Sequence, residues 1–485
     1  MQSIDSLGLF WLPDHDGDQL SGRLQFDPAG GGINLSLVGA FDNAVADGGE
    51  PTLRIFGWLG DNPVTLESCF PGGSASPSRG VEESSYHADR MFLGHHVESE
   101  LQEFQSAEAT FSYADAWVGH SGIKVENDPW RDQSEPAPIY TATYTPTAQD
   151  EHPFTRGHIQ LGYNWQAKGD SIRGLSMRQW PVFRTRYNEP HSLKTILRDV
   201  RLLQNLITLC VDTPVHLDTL ILKHPDVHMF MLDGSDSGAE RPIELVVSPI
   251  PYKAPEARKV RHPYEMLLTF EELGGLPTIA RWLEIAPRFR RALNSLMSVK
   301  YAEHMFAENR LLNATYGAEA FHRLTRNEPY MEPTQFQQLL DTYLENTPDE
   351  HHDWLRGKLE FGNDPPLVRR LTKLAARAAP VTRPTIGNKD RWAGTLSQVR
   401  NELTHLNADS PDFDGGDLLF LTESVYAVVR ICMLLDCGVP NDTLAQKADS
   451  YPVFWYRDRL AQSIERVRQQ LKEVQEARRS STEAT

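Results

Sequence analysis

Cysteine is scarce and scattered in this sequence. Four residues (Cys69, Cys210, Cys432, Cys437) in a chain of 485 cannot build a disulfide framework, and no CxxC pair is present. Nucleotide and hydrolase signatures are also missing: there is no P-loop, no GxSxG and no GxGxxG in a strand–turn–helix context. Uninterrupted apolar runs are lacking too. The longest, Leu418 to Leu435, contains Thr422, Glu423, Ser424 and Arg430, which argues against a membrane span and for a helix buried in protein. The first residues, Met1 to Asp5, carry no basic n-region and no apolar h-region, so no secretory leader is expected. The cytoplasm is the expected compartment, with no membrane partner. No internal repeat is visible, and the only biased segment is the polar tail Ser480–Thr485.

What is present reads as an ordinary globular composition, 40% hydrophobic and 24% charged, with length for about two to four domains. The net charge of −18 argues at first against a nucleic-acid partner. Its distribution changes that reading. From Leu276 onward there are 27 Lys+Arg against 28 Asp+Glu, so residues 1–275 hold the remaining 21 against 38. Between Pro366 and Arg400 stand eight basic residues and one acidic one, Asp390, a stretch that attracts phosphate or forms a solvated helix face.

Residues 1–185 read as mostly β. The runs Gly22–Phe26, Ile33–Phe41, Thr52–Leu59, Val64–Cys69, Ala107–Trp117 and His158–Trp165 are strand-like, with a tight turn at Gly30-Gly31-Gly32 and long loops at Gly72–Ser78 and Asn127–Pro138. Residues 186–275 hold a helix candidate, Ser192–Cys210, then strand-like Val215–Leu222, Val227–Leu232, Ile243–Val247 and Met266–Phe270. They form either a second lobe or an α/β continuation of the first. From 276 to 485 the pattern is helical: Ile279–Glu284, Phe289–Arg326, Pro333–Leu344, Leu367–Ala379, Arg391–Leu406, Leu418–Cys437 and Val453–Arg478, with Gly438 and Pro440 stopping the penultimate helix. The expected class is α+β: an acidic β-rich N-terminal region, then an all-α bundle.

One of these helices carries candidate chemistry. Over Arg391–Leu406, Trp392, Leu396, Val399, Leu403 and Leu406 fall on one narrow apolar stripe. Asn401 and His405, four apart, stack on the opposite face. Arg400 lies at the stripe's edge, about 140° around from His405. A guanidinium, an amide and an imidazole are thus turned away from the packing surface. That set suits cleavage of an RNA phosphodiester without a metal. The 2′-hydroxyl loses a proton as it attacks, the 5′-oxygen gains one as it leaves, and imidazole serves either step. A guanidinium opposes charge on the non-bridging oxygens. By spacing alone, a solvated helix face is the commoner origin of such a pair.

The stretch Arg400-Asn401-Glu402-Leu403-Thr404-His405 resembles the HEPN superfamily pattern of Arg, a polar residue, and His four to six residues on. The context is similar: the motif ends an amphipathic helix, a long apolar helix follows, and an earlier helix with Glu303, Glu308 and Glu319 looks like the family's opening helix. Phe10-Trp11-Leu12-Pro13, Ser21-Gly22-Arg23-Leu24 and Ile33–Phe41 resemble the start of ApeA-like proteins, bacterial abortive-infection proteins with a β-rich domain before a HEPN domain. The resemblance implies a helical HEPN domain, metal-independent RNA cleavage with no cofactor, action as a homodimer or higher oligomer through the helical domain, and a phage-derived trigger. It implies Arg400 and His405 as the catalytic pair, with Asn401 orienting one of them. RNA is the implied substrate, tRNA being one candidate. The alternative is a catalytically idle HEPN bundle serving as a nucleic-acid-binding or assembly module for a β-rich sensor.

Other constellations read blandly. Asp14-His15-Asp16-Gly17-Asp18 has its glycine too early for a calcium loop and reads as a hairpin turn. His95-His96 and His351-His352-Asp353 lack cysteine partners nearby and read as surface histidines. Cys432 and Cys437 read as core thiols. His304, His322, Glu303 and Glu308 read as helix-surface charge, with catalytic support as the alternative. Tyr451, Phe454, Trp455 and Tyr456 read as packing, with base stacking as the alternative.

Overall fold

The computed structural model describes residues 3–483 apart from 14, 29, 42–52, 76–79, 81, 99–102, 128–137, 139, 171, 232, 249–261, 327, 406–409 and 451–452. Period-two patterning sets the first part. In β2 (Leu20–Asp27), Gly22, Leu24 and Phe26 point inward and the residues between them face out. The strands around it are β1 (Ile4–Trp11) and β3 (Gly32–Val38), which pair with it, and then β4 (Leu53–Leu59), β5 (Asn62–Ala75) and β6 (Glu83–Leu93). These six run in the order β6-β3-β2-β1-β4-β5, and β5 returns to pair with β6, so they close into a barrel. Phe10, Leu24, Ile33, Leu35, Ile55 and Leu66 fill it.

The sheet does not end at the barrel. After β7 (Glu103–Phe111), the short helix α1 (Ala114–Val118) and the ribbon β8 (Ile123–Asn127) with β9 (Tyr140–Tyr144), the chain adds β10 (Asp150–Phe154), β11 (Gly157–Asp170) and β12 (Gly174–Ser192). Helix α2 (Leu193–Val211) leads to β13 (Leu217–Lys223), the ribbon β14 (His228–Phe230) with β15 (Asp236–Glu240), and β16 (Ile243–Val247). The open part runs β10-β11-β12-β7-β13-β16 and joins the barrel at β6. Residue 185 therefore falls inside β12, where the chain makes no break. β13 and β16 lie within the one sheet, between β7 and β6, and not in a separate lobe.

The helical part comprises α3 (Phe270–Leu273), α4 (Gly275–Ile285), α5 (Arg290–Tyr301), α6 (Ala307–Arg326), α7 (Pro333–Glu345), α8 (His352–Leu359), α9 (Leu367–Ile386), α10 (Lys389–His405), α11 (Gly415–Cys437), α12 (Asn441–Ala445) and α13 (Arg457–Glu483). Apolar on nearly every side, α11 runs through the middle against α6, α9, α13 and α4. It is long and apolar enough to cross a membrane, but 78% of its apolar window is buried inside the fold. Asp414 caps its start by accepting from the Gly416 and Asp417 amides, and Gly438, at φ 102°, ends it. One continuous core runs from Phe92 to Leu471, so sheet, α2 and bundle share an interior. At the seam, Trp282 Nε1 donates to Leu202 O (2.8 Å) and Trp117 Nε1 to Leu268 O (3.1 Å).

A buried charge network pins the same seam. Arg430 of α11, 2% exposed, donates to Leu209 O and Cys210 O at the end of α2 and pairs with Asp212 (3.1 Å). Lys300 of α5 reaches Asp212 (3.4 Å) and Glu423 (2.8 Å). Burial works to lower the Lys300 pKa, but the two carboxylates raise it above its ordinary value and keep the ammonium charged.

Several expected elements differ. Met266–Leu268 is no strand: the Leu267 and Leu268 amides donate to Cys210 O, so the apolar run closes the end of α2, and Thr269 then caps α3 with Glu272. Ala107–Trp117 stops being strand at Phe111, where Tyr113 takes φ 63° and α1 begins. Phe289–Arg326 is not one helix. It breaks at 302–306, where the Arg310 side chain donates to the carbonyls of Val299 (2.6 Å), Ala302 (2.6 Å), Glu303 (3.1 Å) and Met305 (3.2 Å) and replaces the lost helical bonds. Conversely, α9 passes through Pro380 and Pro384, both exposed, where water can take up the carbonyls that lose an amide donor. Nor are His95 and His96 surface residues. Both are half-buried, with His96 packed among Trp11, Phe56 and Trp58 and bonded to Gly57 O (2.9 Å).

Candidate active site

Helix α10 is fixed at both ends. Asn388 Oδ1 accepts from the Asp390 and Arg391 amides (3.0 Å each) and caps its start. Trp392, Leu396 and Val399 are fully buried, Leu403 packs half-buried on the same core, and Trp392 Nε1 donates to Ser424 Oγ (2.8 Å). Leu406, the last residue of the expected stripe, lies outside the described residues. Near the other end, Glu402 accepts two bonds from Arg478 of α13 (2.8 and 2.9 Å) and one from Ser410 Oγ (2.9 Å).

The three expected site residues emerge on the open side of this clamped helix. Asn401 and His405 are exposed, and His405 has no hydrogen-bond partner among the described residues. The Arg400 side chain is 38% exposed; its Nη1 donates to Asn401 Oδ1 (3.3 Å), so amide and guanidinium touch. Of the two expected partners, it is the arginine that Asn401 contacts among the described residues. Facing Arg400 across 3.9 Å is Glu319 of α6. Gly317 makes that placement possible: a Cβ there would stand 3.2 Å from Ala292 O and Leu296 N of α5, tighter than backbone normally tolerates. Glu319 also pairs with Arg323 (3.3 Å), Arg323 with Asp364 (3.2 Å), and Asp364 with Arg370 (3.5 Å).

At the inner end of that chain is His322, which is no surface residue. It is fully buried, with Arg370 Nη1 3.5 Å from its Nδ1. Burial, reinforced by Arg370, Arg326 and Lys373, drives its pKa down to about 4, so the ring is neutral at neutral pH. It supports the frame and cannot reach a substrate. His304 and Glu303 are exposed in the α5–α6 break, and Glu308 is half-buried; among the described residues none of them bonds to Arg400, Asn401 or His405. Cys432 and Cys437 are buried thiols, pushed up by burial to about 12. Phe454 and Tyr456 are buried and Trp455 half-exposed, while Tyr451 lies outside the described residues. His352 is bonded to Thr347 O (2.8 Å). Asp14 lies outside the described residues; the rest of its segment forms a turn in which the Asp18 amide donates to His15 O (3.0 Å). Among the described residues no group of three or more His, Cys, Asp or Glu is placed to hold a metal ion.

Compared with known proteins, the chain matches two family models: ApeA N-terminal domain 1 over residues 5–282, more than half of the chain, and Apea-like HEPN over residues 312–443. The chain is an ApeA-like HEPN protein. In ApeA terms, the N-terminal match takes in the barrel, the open sheet and α2, and the HEPN match takes in α9, α10 and α11 whole, with Arg400, Asn401 and His405. No curated protein and no solved structure matches the chain. Glu319 opposite the motif and the Glu402–Arg478 clamp were not read from the sequence as parts of the site. The spacing of Glu319 and Arg323, four apart on one helix, is the only local signal for the first. The second joins residues 76 positions apart and has none.

Proposed function

We propose that this protein is a metal-independent endoribonuclease of abortive infection, cutting RNA at the Arg400–Asn401–His405 face. The observation that carries the reading is the division of labour on α10: its apolar residues are buried, its motif residues open outward, and His405 has no hydrogen-bond partner among the described residues. In the reaction, the 2′-oxygen bonds to phosphorus as imidazole takes its proton. The P–O5′ bond breaks as the 5′-oxygen receives a proton, leaving a 2′,3′-cyclic phosphate and a 5′-hydroxyl. Arg400, steadied by Asn401, holds the non-bridging oxygens.

One face supplies one histidine and one arginine. A two-fold pairing of α10 faces from two chains would bring two of each to one phosphate, so the active species is a homodimer or larger. The opposing carboxylate of Glu319 favours a second reading, in which Arg400 is neutralised and the bundle binds or assembles without cutting. RNA digestion separates the two. Wild type is expected to cleave in excess EDTA and leave cyclic phosphate ends, and His405→Ala to keep its melting temperature and lose cleavage. An equally active His405→Ala, or cleavage that EDTA abolishes and Mg²⁺ restores, would sink the proposal. Mixing His405→Ala with Arg400→Ala chains tests the shared site by recovery of cleavage.

A further inference from the structure

Where α2 of the N-terminal region meets α5 of the helical one, the surface opens into a cleft of about 520 Å³. Lys194, Arg198 and Arg201, at i, i+4 and i+7, lie along one face of α2 and line one wall. Arg290, the first residue of α5, lines the other. Among the described residues no carboxylate lines the cleft. The single acidic residue of α2, Asp199, is buried and holds Arg156 through two 2.8 Å bonds; Arg198 touches it at 3.5 Å. Lys194, Arg201 and Arg290 have no ion-pair partner among the described residues. This happens beside a region, residues 1–275, in which acidic side chains outnumber basic ones 38 to 21. Chance placement there favours mixed charge, not four converging cations.

A second observation points into the same cleft. Asn205, 2% exposed, lines it, and its Oδ1 has no hydrogen-bond partner among the described residues. A buried amide oxygen left unbonded is costly unless a donor completes it, and the donor a nucleotide offers is a ribose hydroxyl or a base amino group, not a phosphate oxygen. Leu197 and Met297 add apolar surface beside it.

We propose that the α2–α5 cleft binds a small polyphosphorylated ligand of the nucleoside di- or triphosphate class. Guanidinium forks match phosphate oxygens in pairs, and the volume falls within the roughly 300–1,000 Å³ of small-molecule sites. The acidic surroundings exclude a long polyanion that would have to run past them, whereas a compact one is neutralised inside the cleft. The ligand bridges the two regions and tightens their contact. This site is remote in sequence from the α10 motif and does not rest on the nuclease reading.

Titration of the full-length protein with inorganic pyrophosphate, ATP and a single-stranded RNA oligonucleotide, followed by calorimetry and melting temperature, tests it. Pyrophosphate and ATP are expected to bind saturably, one per chain, and to raise the melting temperature. Arg201→Ala and Arg290→Ala, both at exposed positions, should each weaken binding roughly ten- to a hundredfold without lowering the unliganded melting temperature. Arg288→Ala, which removes the same charge just outside the cleft, should leave binding unchanged. The proposal is overturned if neither pyrophosphate nor ATP binds at millimolar concentration, or if Arg288→Ala weakens binding as much as Arg201→Ala. It also falls if only the RNA binds through Arg201 and Arg290.

Discussion

Replacing Arg478 by alanine removes the clamp that holds the motif end of α10. Glu402, 15% exposed on its side chain, would lose two charge-assisted bonds of 2.8 and 2.9 Å and keep the Ser410 hydroxyl. An open surface pair is worth under about 1 kcal/mol, and breaking a fully buried one costs about 3–5. A bidentate pair with one mostly buried partner sits between, at about 1.5–2.5 kcal/mol. The loss should be local, because Trp392, Leu396 and Val399 keep the rest of α10 in the core. Opening of the last turn, residues 401–405, should become roughly ten- to sixtyfold more frequent. Hydrogen exchange followed by mass spectrometry reads this directly: peptides covering the motif should lose protection while those of α11 keep theirs. Arg478→Lys, which keeps the charge and loses the fork, should fall between. Unchanged exchange in Arg478→Ala, or a uniform loss across the bundle, would refute the clamp.

Three further outcomes are expected. His322 is depressed to about 4 from about 6.5, so the unfolded state binds the extra proton: its stability contribution is complete above pH 6.5 and is lost as pH falls toward 4. Urea melts should show wild type losing on the order of 3 kcal/mol more than His322→Gln across that window, and parallel losses would contradict the assignment. Arg430→Met should cost about 3 kcal/mol by taking the buried guanidinium from Asp212, which keeps Lys300, and from the Leu209 and Cys210 carbonyls of α2, and Asp212→Asn should add less than its separate effect, which a double-mutant cycle measures; strict additivity would be the contrary result. Glu319→Gln removes the carboxylate facing Arg400 and should lower KM for RNA up to about fivefold with kcat little changed, so a raised KM would show that Glu319 helps to hold substrate.

Much of this architecture was legible in the residues because local periodicity and global packing agree. The α10 stripe, the buried α11 and the strand Ile243–Val247 follow from spacing alone, and Asn401 and His405 appear on the open face that the wheel assigns them. The misreadings share a cause. Met266–Leu268 is apolar and short, and such a run serves a sheet or a helix end equally; only its bond to Cys210 decides. Continuous helix propensity hid the break at 302–306, since the residue that creates it, Arg310, acts from the following helix through its side chain. The His322–Arg370 pair could not be foreseen either. A histidine and an arginine on different helices give no sign that burial will force one of them neutral.

β6 carries a mechanical consequence. Its residues Glu83–Ala88 are laddered to β3 of the barrel, Arg90–Leu93 are laddered to β16 of the open sheet, and β5 runs along its other edge. The barrel therefore has no loop for a hinge at its root: turning it against the open sheet would break the inter-strand hydrogen bonds that β6 makes to β3 on one side of Asp89 and to β16 on the other. A force applied to the barrel's far side, around β1 and β4, travels through β6 as through a welded joint, then along the open sheet to α2 and the Arg430 anchor. Whatever grips the barrel pulls on the helical bundle with a rigid lever and not with a loose tether.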